Sequence, residues 1–344
     1  MRTTTRPLAE RIADATAGSP DVASVARAVF VTVARDVPFA FACLATTDPT
    51  SGLITRAYKS APLPLGDEEF TAAEYGEPDL NQLVDIADRD VPVGVLSVDT
   101  DGHPERCRRL SAYMTPQFGF VDEIRLVCRS GGTTWAALGL YRRQGEPFFT
   151  AAEGAVVGAV HEVVAAATRN ALFTDADAGA QGSRIPVVLV VDDTDRVTGM
   201  SAAAEELVDD LGGWDRGSLP AGVLAVAASA RARDSLTTAR VRARSGSWVV
   251  VQGLPLAGTA GQRSVVLTVE RASAAVVGAL TIAARGLTQR EQDVVGLVLK
   301  GASTKAIAAA LHLSPHTVQD HLKAVFAKLG VSSRRDLVAR FAVA

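Results

Sequence analysis

Cysteine is scarce in this chain of 344 residues. Cys43, Cys107 and Cys128 leave one odd, and none stands in a C-x-x-C or zinc-finger spacing. These spacings argue against a disulfide scaffold and a structural zinc. His103 and Cys107 form an isolated H-x3-C, two ligands without the partners that tetrahedral closure needs, so no metal is implied. Long apolar runs are missing as well: Ile185 to Val191 and Ala274 to Ala284 fall well short of the ~20 residues that span a bilayer. The start, Met1 to Arg6 and then Glu10, Arg11 and Asp14, contains no apolar signal core, so the expectation is a cytoplasmic protein with no membrane partner. There is no G-x-S-x-G, no P-loop and no dinucleotide fingerprint. The sequence therefore offers no catalytic residues and no cofactor, and leaves an unidentified small-molecule effector as the ligand to look for.

An overall excess of positive charge is absent too, since the net charge is −3, but the average hides an asymmetry. From Leu287 onward there are eight Lys or Arg against four acids, and four of the five lysines (Lys300, Lys305, Lys323 and Lys328, but not Lys59) lie there. An acidic body is joined to a small basic module.

Leu8, Ile12, Val22, Val25, Ala26 and Phe30 recur at helical spacing on either side of Gly18-Ser19-Pro20. Strands are expected at 39–46, 53–59, 93–98, 121–129 and 134–141, with a hairpin at Ser130-Gly131-Gly132. Thr150 and Glu153 form a capping box that opens a helix reaching about Phe173. Thr174 to Ser183 has linker composition. A small mixed domain follows, with strands at 186–192, 238–243, 247–252 and 264–270, a helix at 201–211 and a connector helix at 273–284. The expected class is α+β: two sensor-like domains with antiparallel sheets, at 1–173 and 185–271, joined by a linker at 174–184. A connector at 272–286 leads to an all-α four-helix domain at 287–344.

That last domain is the best marked. Thr288 with Glu291 is a capping box, Gly301 stops the first helix, and Ser303 caps the second. Ser314-Pro315 opens the third, Gly330 ends it, and Ser332 or Ser333 caps the fourth. On the third helix Val318, Leu322, Val325, Phe326 and Leu329 form one apolar face. The opposite face presents His316, Asp320, Lys323, Ala324 and Ala327, flanked by Thr317 and Gln319. Such a helix can enter a major groove with its first turns toward base edges, while Lys305, Lys328, Arg334 and Arg335 hold phosphates.

The runs Leu287 to Glu291, Gly301 to Ala308, Leu313 to Val318, His321 to Leu329 and Ser333 to Val338 resemble the LuxR-type helix-turn-helix. The resemblance implies double-stranded DNA as partner, with Thr317 on phosphate, Gln319, Asp320 and Lys323 facing the groove, and Ser303 and His316 within the contact set. This chain departs from the common pattern at Gln319, where lysine is frequent, at Asp320, and at Ala306, where glutamate is usual. One small module makes few contacts, so a homodimer on an inverted-repeat operator is expected.

Residues 15–173 are similar to a GAF sensor domain, in the helix–strand–strand opening and in Trp135 to Arg143 followed by Glu146 to Glu153. The resemblance implies a pocket, for which Tyr113, Met114, Phe118, Phe120 and Trp135 are the candidate lining; the same aromatics would also serve as core. Val187 to Asp193 suggests a phosphoreceiver, but no later strand supplies a phosphoaccepting aspartate or the required lysine. The stretch from Asp192 to Val197 and Ser201 to Leu207 looks more like a degenerate PAS domain. A thiol-based redox sensor or reductase using the three cysteines is the alternative function. Signals are expected to pass through helices, with Val156, Val157, Val160, Val163 and Val164 on one, and Val276, Val277 and Leu280 on the connector, able to face a dimer mate.

Overall fold

The structure is a computed structural model that describes residues 6–174, 186–257 and 263–341. The described residues divide into two units, one carrying the two sheets up to Arg271 except for Ser130–Thr133, the other made of those four residues and the helices from Ala272 onward. The expected linker lies almost wholly outside the described residues.

The first sheet has the order β2-β1-β5-β4-β3, from β1 (Phe41–Thr47), β2 (Ile54–Lys59), β3 (Val93–Val95), β4 (Phe120–Ser130) and β5 (Thr133–Arg143). The β1–β2 hairpin turns where Asp48 accepts from the Ser51 amide at 3.1 Å and its hydroxyl at 2.7 Å, with Gly52 at φ 72°. That positive φ favours glycine. Helices α1 (Leu8–Thr16) and α2 (Val22–Val33) precede the sheet. Asp21 caps α2 by accepting from the Ser24 amide, and those bonds hold its carboxyl below the ordinary range.

Two expectations for this sheet need correction. The strand expected at 93–98 ends at Val95, and α5 (Leu96–Asp99) follows. Asp122, fully buried, accepts from the Ser97 amide at 3.0 Å while the Ser97 hydroxyl donates to the Phe149 carbonyl, which turns the chain off the sheet. The helix expected to run from 150 to 173 is two helices, α7 (Ala151–Gly158) and α8 (His161–Leu172), bent by 42°. The first packs so closely on β3 that a Cβ on Gly154 would lie 2.4 Å from Val95 Cγ2, whereas α8 packs on α1 and α2. Val157, Val160 and Val164 are consequently buried in their own fold and only Val156 of that stripe is exposed.

On either side of β3 and α5, the sequence reading left gaps that the structure fills. They hold α3 (Glu68–Tyr75), α4 (Leu83–Ala87), a π-helical turn at Arg109–Met114 and α6 (Thr115–Phe118).

The second sheet has the order β7-β6-β10-β9-β8, from β6 (Val187–Val191), β7 (Val197–Met200), β8 (Thr237–Arg242), β9 (Trp248–Ala257) and β10 (Arg263–Arg271), with α9 (Ala204–Leu211) and α10 (Ala221–Arg233). Every residue from Gly222 to Ala230 of α10 is buried. A helix covered on all sides shows no amphipathic period, which is why the pattern missed it. It packs on β8, β9 and β10 and also on α3 and β2 of the first sheet. A Cβ on Gly222 would sit 2.5 Å from the Thr55 carbonyl oxygen, so glycine sets that approach.

The helical unit comprises α11 (Ala274–Ala284), α12 (Gln289–Leu299), α13 (Thr304–Leu311), α14 (Pro315–Leu329) and α15 (Arg334–Phe341). Its core gathers Leu287, Val294, Val298, Ile307, Val318, Leu322, Val325, Leu329 and Leu337. The connector α11 packs on α15, which buries Leu280, while Val276 and Val277 stay half-buried. No single helix among the described residues is long and apolar enough to cross a membrane.

Candidate functional site

Two features are placed to do chemistry: the outer face of α14 and a cavity beneath the first sheet. Ser314 caps α14 by accepting from the Thr317 amide at 3.0 Å, Pro315 occupies the first turn where a missing N–H costs nothing, and Gly330 closes it at φ 64°. Before it, α13 opens on Ser303, which accepts from the Ala306 amide at 3.2 Å, and stops where His312 takes φ 55°. A three-residue turn thus separates two helices that pack on each other.

With Val318, Leu322, Val325 and Leu329 buried, the other face of α14 is left outside. His316, Gln319, Asp320 and Lys323 are exposed, and Thr317 is half-buried with its hydroxyl 2.8 Å from that of Ser314. Asp320 is flanked by base on both sides: His316 Nε2 at 3.9 Å and Lys323 Nζ at 3.5 Å. The cations expected on phosphate divide into two groups. Lys305 and Arg335 are exposed, as is Ser303. Lys328 donates to Glu291 at 2.6 Å and to the Gly286 carbonyl, and Arg334 donates to the Ala302 carbonyl, so both have structural partners already. Burial works to raise the Glu291 carboxyl, but Lys328 and the Thr288 amide outweigh it and hold the group below the ordinary range.

The cavity, of about 60 Å³, lies between β1, β2 and β5 on one side and α3 with the π-helical turn on the other. Tyr113, Met114 and Phe118 are on its wall; Phe120 and Trp135 are not. Phe120 is enclosed by the rings of Phe41, Phe118 and Tyr141 at 5.3, 5.7 and 5.1 Å. Trp135 is fully buried and meets the ring of Phe173 edge-on at 6.1 Å. Aromatic content alone does not distinguish wall from core. The reading missed Lys59, Asp67, Phe70, Arg125 and Ala221, all on the wall. The available signal was Lys59, the one lysine outside the tail.

Behind the wall lies a buried ion network. Arg109 pairs with Glu123 and lies 3.9 Å from Glu74, which in turn takes Arg125 at 2.7 Å. Asp79 accepts from the Arg108 and Arg109 amides and pins the start of the π-helical turn. Lys59 Nζ is 2.8 Å from Asp67; burial disfavours the ammonium, but that carboxylate outweighs it and raises the lysine pKa.

The thiols are placed for packing. Burial pushes Cys43 and Cys107 up to about 12 and raises Cys128 as well, so the nucleophilic thiolate is scarce at neutral pH. Among the described residues no group of three or more His, Cys, Asp or Glu side chains is arranged to hold a metal ion.

Residues 285–341 match the family described as bacterial regulatory proteins, luxR family. The C-terminal domain is a LuxR-type helix-turn-helix domain. An HTH-type transcriptional regulator of Mycobacterium bovis is 58% identical over 52 residues, 15% of this chain and 6% of its own length. The monoamine regulon transcriptional regulator of Klebsiella aerogenes is 48% identical over 54 residues, 16% of this chain and 24% of its own. The chain therefore spans only a small part of the curated relatives it matches. Among solved structures, a phage VqmA–DPO complex is 17% identical and covers 45% of this chain and 79% of that one at a TM-score of 0.27. A Vibrio cholera VqmA–ligand–DNA complex is 18% identical and covers 46% and 82% at 0.25, scores too low to establish a shared fold.

Proposed function

We propose that the chain is a sequence-specific transcription regulator that binds an inverted-repeat operator as a homodimer, with its sheet-bearing unit sensing a small molecule. The observation that carries this reading is the outward face of α14: His316, Gln319, Asp320 and Lys323 are exposed at its N-terminal half, opposite a fully packed stripe. Gln319 and Asp320 read base edges, glutamine suiting adenine and aspartate accepting from cytosine. Lys323 faces the groove beside them, while Thr317, Ser303, Lys305 and Arg335 contact the backbone, and Arg334 and Lys328 support the module from their internal bonds.

In this reading residues 1–173 form a GAF-like domain that holds the effector and residues 185–271 a PAS-like domain that relays its presence. The effector acts only if the DNA-competent and incompetent states bind it with different affinity. Genome-wide occupancy of the full chain, followed by footprinting of the enriched sites, tests the proposal. A shared inverted repeat protected by the chain is expected; no preferred site, together with protein binding by the isolated tail, would mark the module as a protein-interaction device.

A further inference from the structure

Every charge that reaches the cavity of the first sheet is already matched. Lys59 Nζ lies 2.8 Å from Asp67 Oδ1 and 4.0 Å from Asp215 Oδ2, and Arg125 Nη1 lies 2.7 Å from Glu74 Oε2. The remaining wall is largely rings and short aliphatic side chains, including Phe41, Phe70, Phe118 and Tyr141. Among the described residues lining this space, an anion finds no unpaired cation and a cation finds no unpaired carboxylate. Either would give up its hydration and compete with a pair already made. An uncharged ring leaves water at little cost and meets aromatic faces and edges. One hydroxyl on that ring can donate to Asp67 and accept from Lys59, the two roles that the ion pair offers.

We propose that the cavity binds small uncharged monocyclic aromatic compounds bearing a hydroxyl group, the phenol class, with the hydroxyl at the Lys59–Asp67 pair and the ring against the aromatic wall. At about 60 Å³ the cavity is tighter than the ~150 Å³ of a dry apolar cavity that takes benzene, so part of the wall yields on binding. The π-helical turn Arg109–Met114 is the segment built to yield. It carries Tyr113 and Met114, and a return to α-helical register would rotate both side chains relative to the sheet; single π turns of this kind recur at functional sites. The buried Arg109–Glu123 pair keeps the start of the turn fixed while its far end moves.

The assignment rests on the sensory reading only for its consequence, because binding is measured on its own. Isothermal titration of the full chain at neutral pH compares phenol with benzoate and benzylammonium, its charged counterparts. Phenol is expected to bind at least tenfold more tightly than either. Asp67→Asn leaves Lys59 only the distant Asp215, and is expected to shift the benzoate-to-phenol affinity ratio toward benzoate at least tenfold. Ala57→Leu fills the cavity and is expected to weaken phenol at least tenfold with circular dichroism unchanged; should it not fold, the Asp67→Asn swap decides. Benzoate binding as tightly as phenol, no phenol binding at millimolar concentration, or an unchanged preference in Asp67→Asn would overturn the proposal. Operator affinity with and without phenol separates the two readings: phenol bound with DNA affinity unchanged leaves the ligand class standing and removes the sensory role.

Discussion

Lys328 and Glu291, separated by 37 residues, meet at 2.6 Å, so the end of the candidate recognition helix is tied to the capping box that opens α12. Glu291 accepts from the Thr288 amide and from Lys328, which makes one carboxylate the joint between the two helices. Lys328 keeps 36% of its side chain exposed and solvent screens the pair, so its worth is about 0.5–1 kcal/mol. In Glu291→Gln, amide hydrogen exchange of α12 and α14 should quicken by about two- to fivefold. Because the folded pKa of Glu291 lies below its ordinary 4.5, this stabilisation is present above that value and lost as pH falls through the folded one. Corrected for the intrinsic rate at each pH, protection of the wild-type helices should fall to the variant's as the solution is acidified; a difference in protection that persists unchanged down to pH 3 would count against the joint.

Lys323→Ala should weaken binding to the preferred site and relax its sequence preference, by about 1–3 kcal/mol if the ammonium reaches a base edge. Arg335→Ala should instead weaken all sequences evenly and reduce the slope of log affinity against log salt by about 1. Gel-shift titrations across a salt series distinguish the two, and identical behaviour of both variants would remove the distinction between reading and holding.

The buried network behind the cavity predicts an asymmetry between single and double changes. Arg109→Met leaves Glu123 charged and unpaired in the core and should cost about 3–5 kcal/mol. The double change Arg109→Met with Glu123→Leu should recover much of that loss. Chemical denaturation followed by far-ultraviolet circular dichroism measures both, and a double variant as unstable as the single would mean the pair is worth more than its desolvation.

Gly222→Val places a branched side chain where a Cβ would already stand 2.5 Å from the backbone oxygen of Thr55. Because backbone cannot rotate out of the way, the variant should lose about 1–3 kcal/mol as α10 is forced off β2. Limited proteolysis should then cut near the joint of the two sheets; an unaltered digestion pattern would show that α10 can shift without cost.

What could be read from the sequence was what is decided locally. The capping boxes at Thr150 and Thr288, the Ser314-Pro315 start and the Gly330 stop depend on residues within a few positions of one another, and each lies where the structure has a helix end. Helix α10 was invisible because burial on all sides erases the amphipathic period. The bend between α7 and α8 was invisible because it follows from which neighbours each half packs on. Glu74, Arg109, Glu123 and Arg125 carry no mutual spacing that marks them as a network; only folding brings them within reach. The same holds for the cavity wall, whose members come from β1, β2, β4, β5, α3, α4, the π-helical turn, α6 and α10.

Phe173 stands between two tryptophans: its ring meets Trp135 of the first sheet at 6.1 Å and Trp248 of the second at 5.3 Å. The helical unit, by contrast, contains no tryptophan or tyrosine. Excited above 295 nm, the protein emits from the sheet-bearing unit alone, and two of its three indoles share one phenyl contact. The molecule therefore carries its own optical gauge of the joint between its sheets, readable whatever the helical unit holds, with no label to attach.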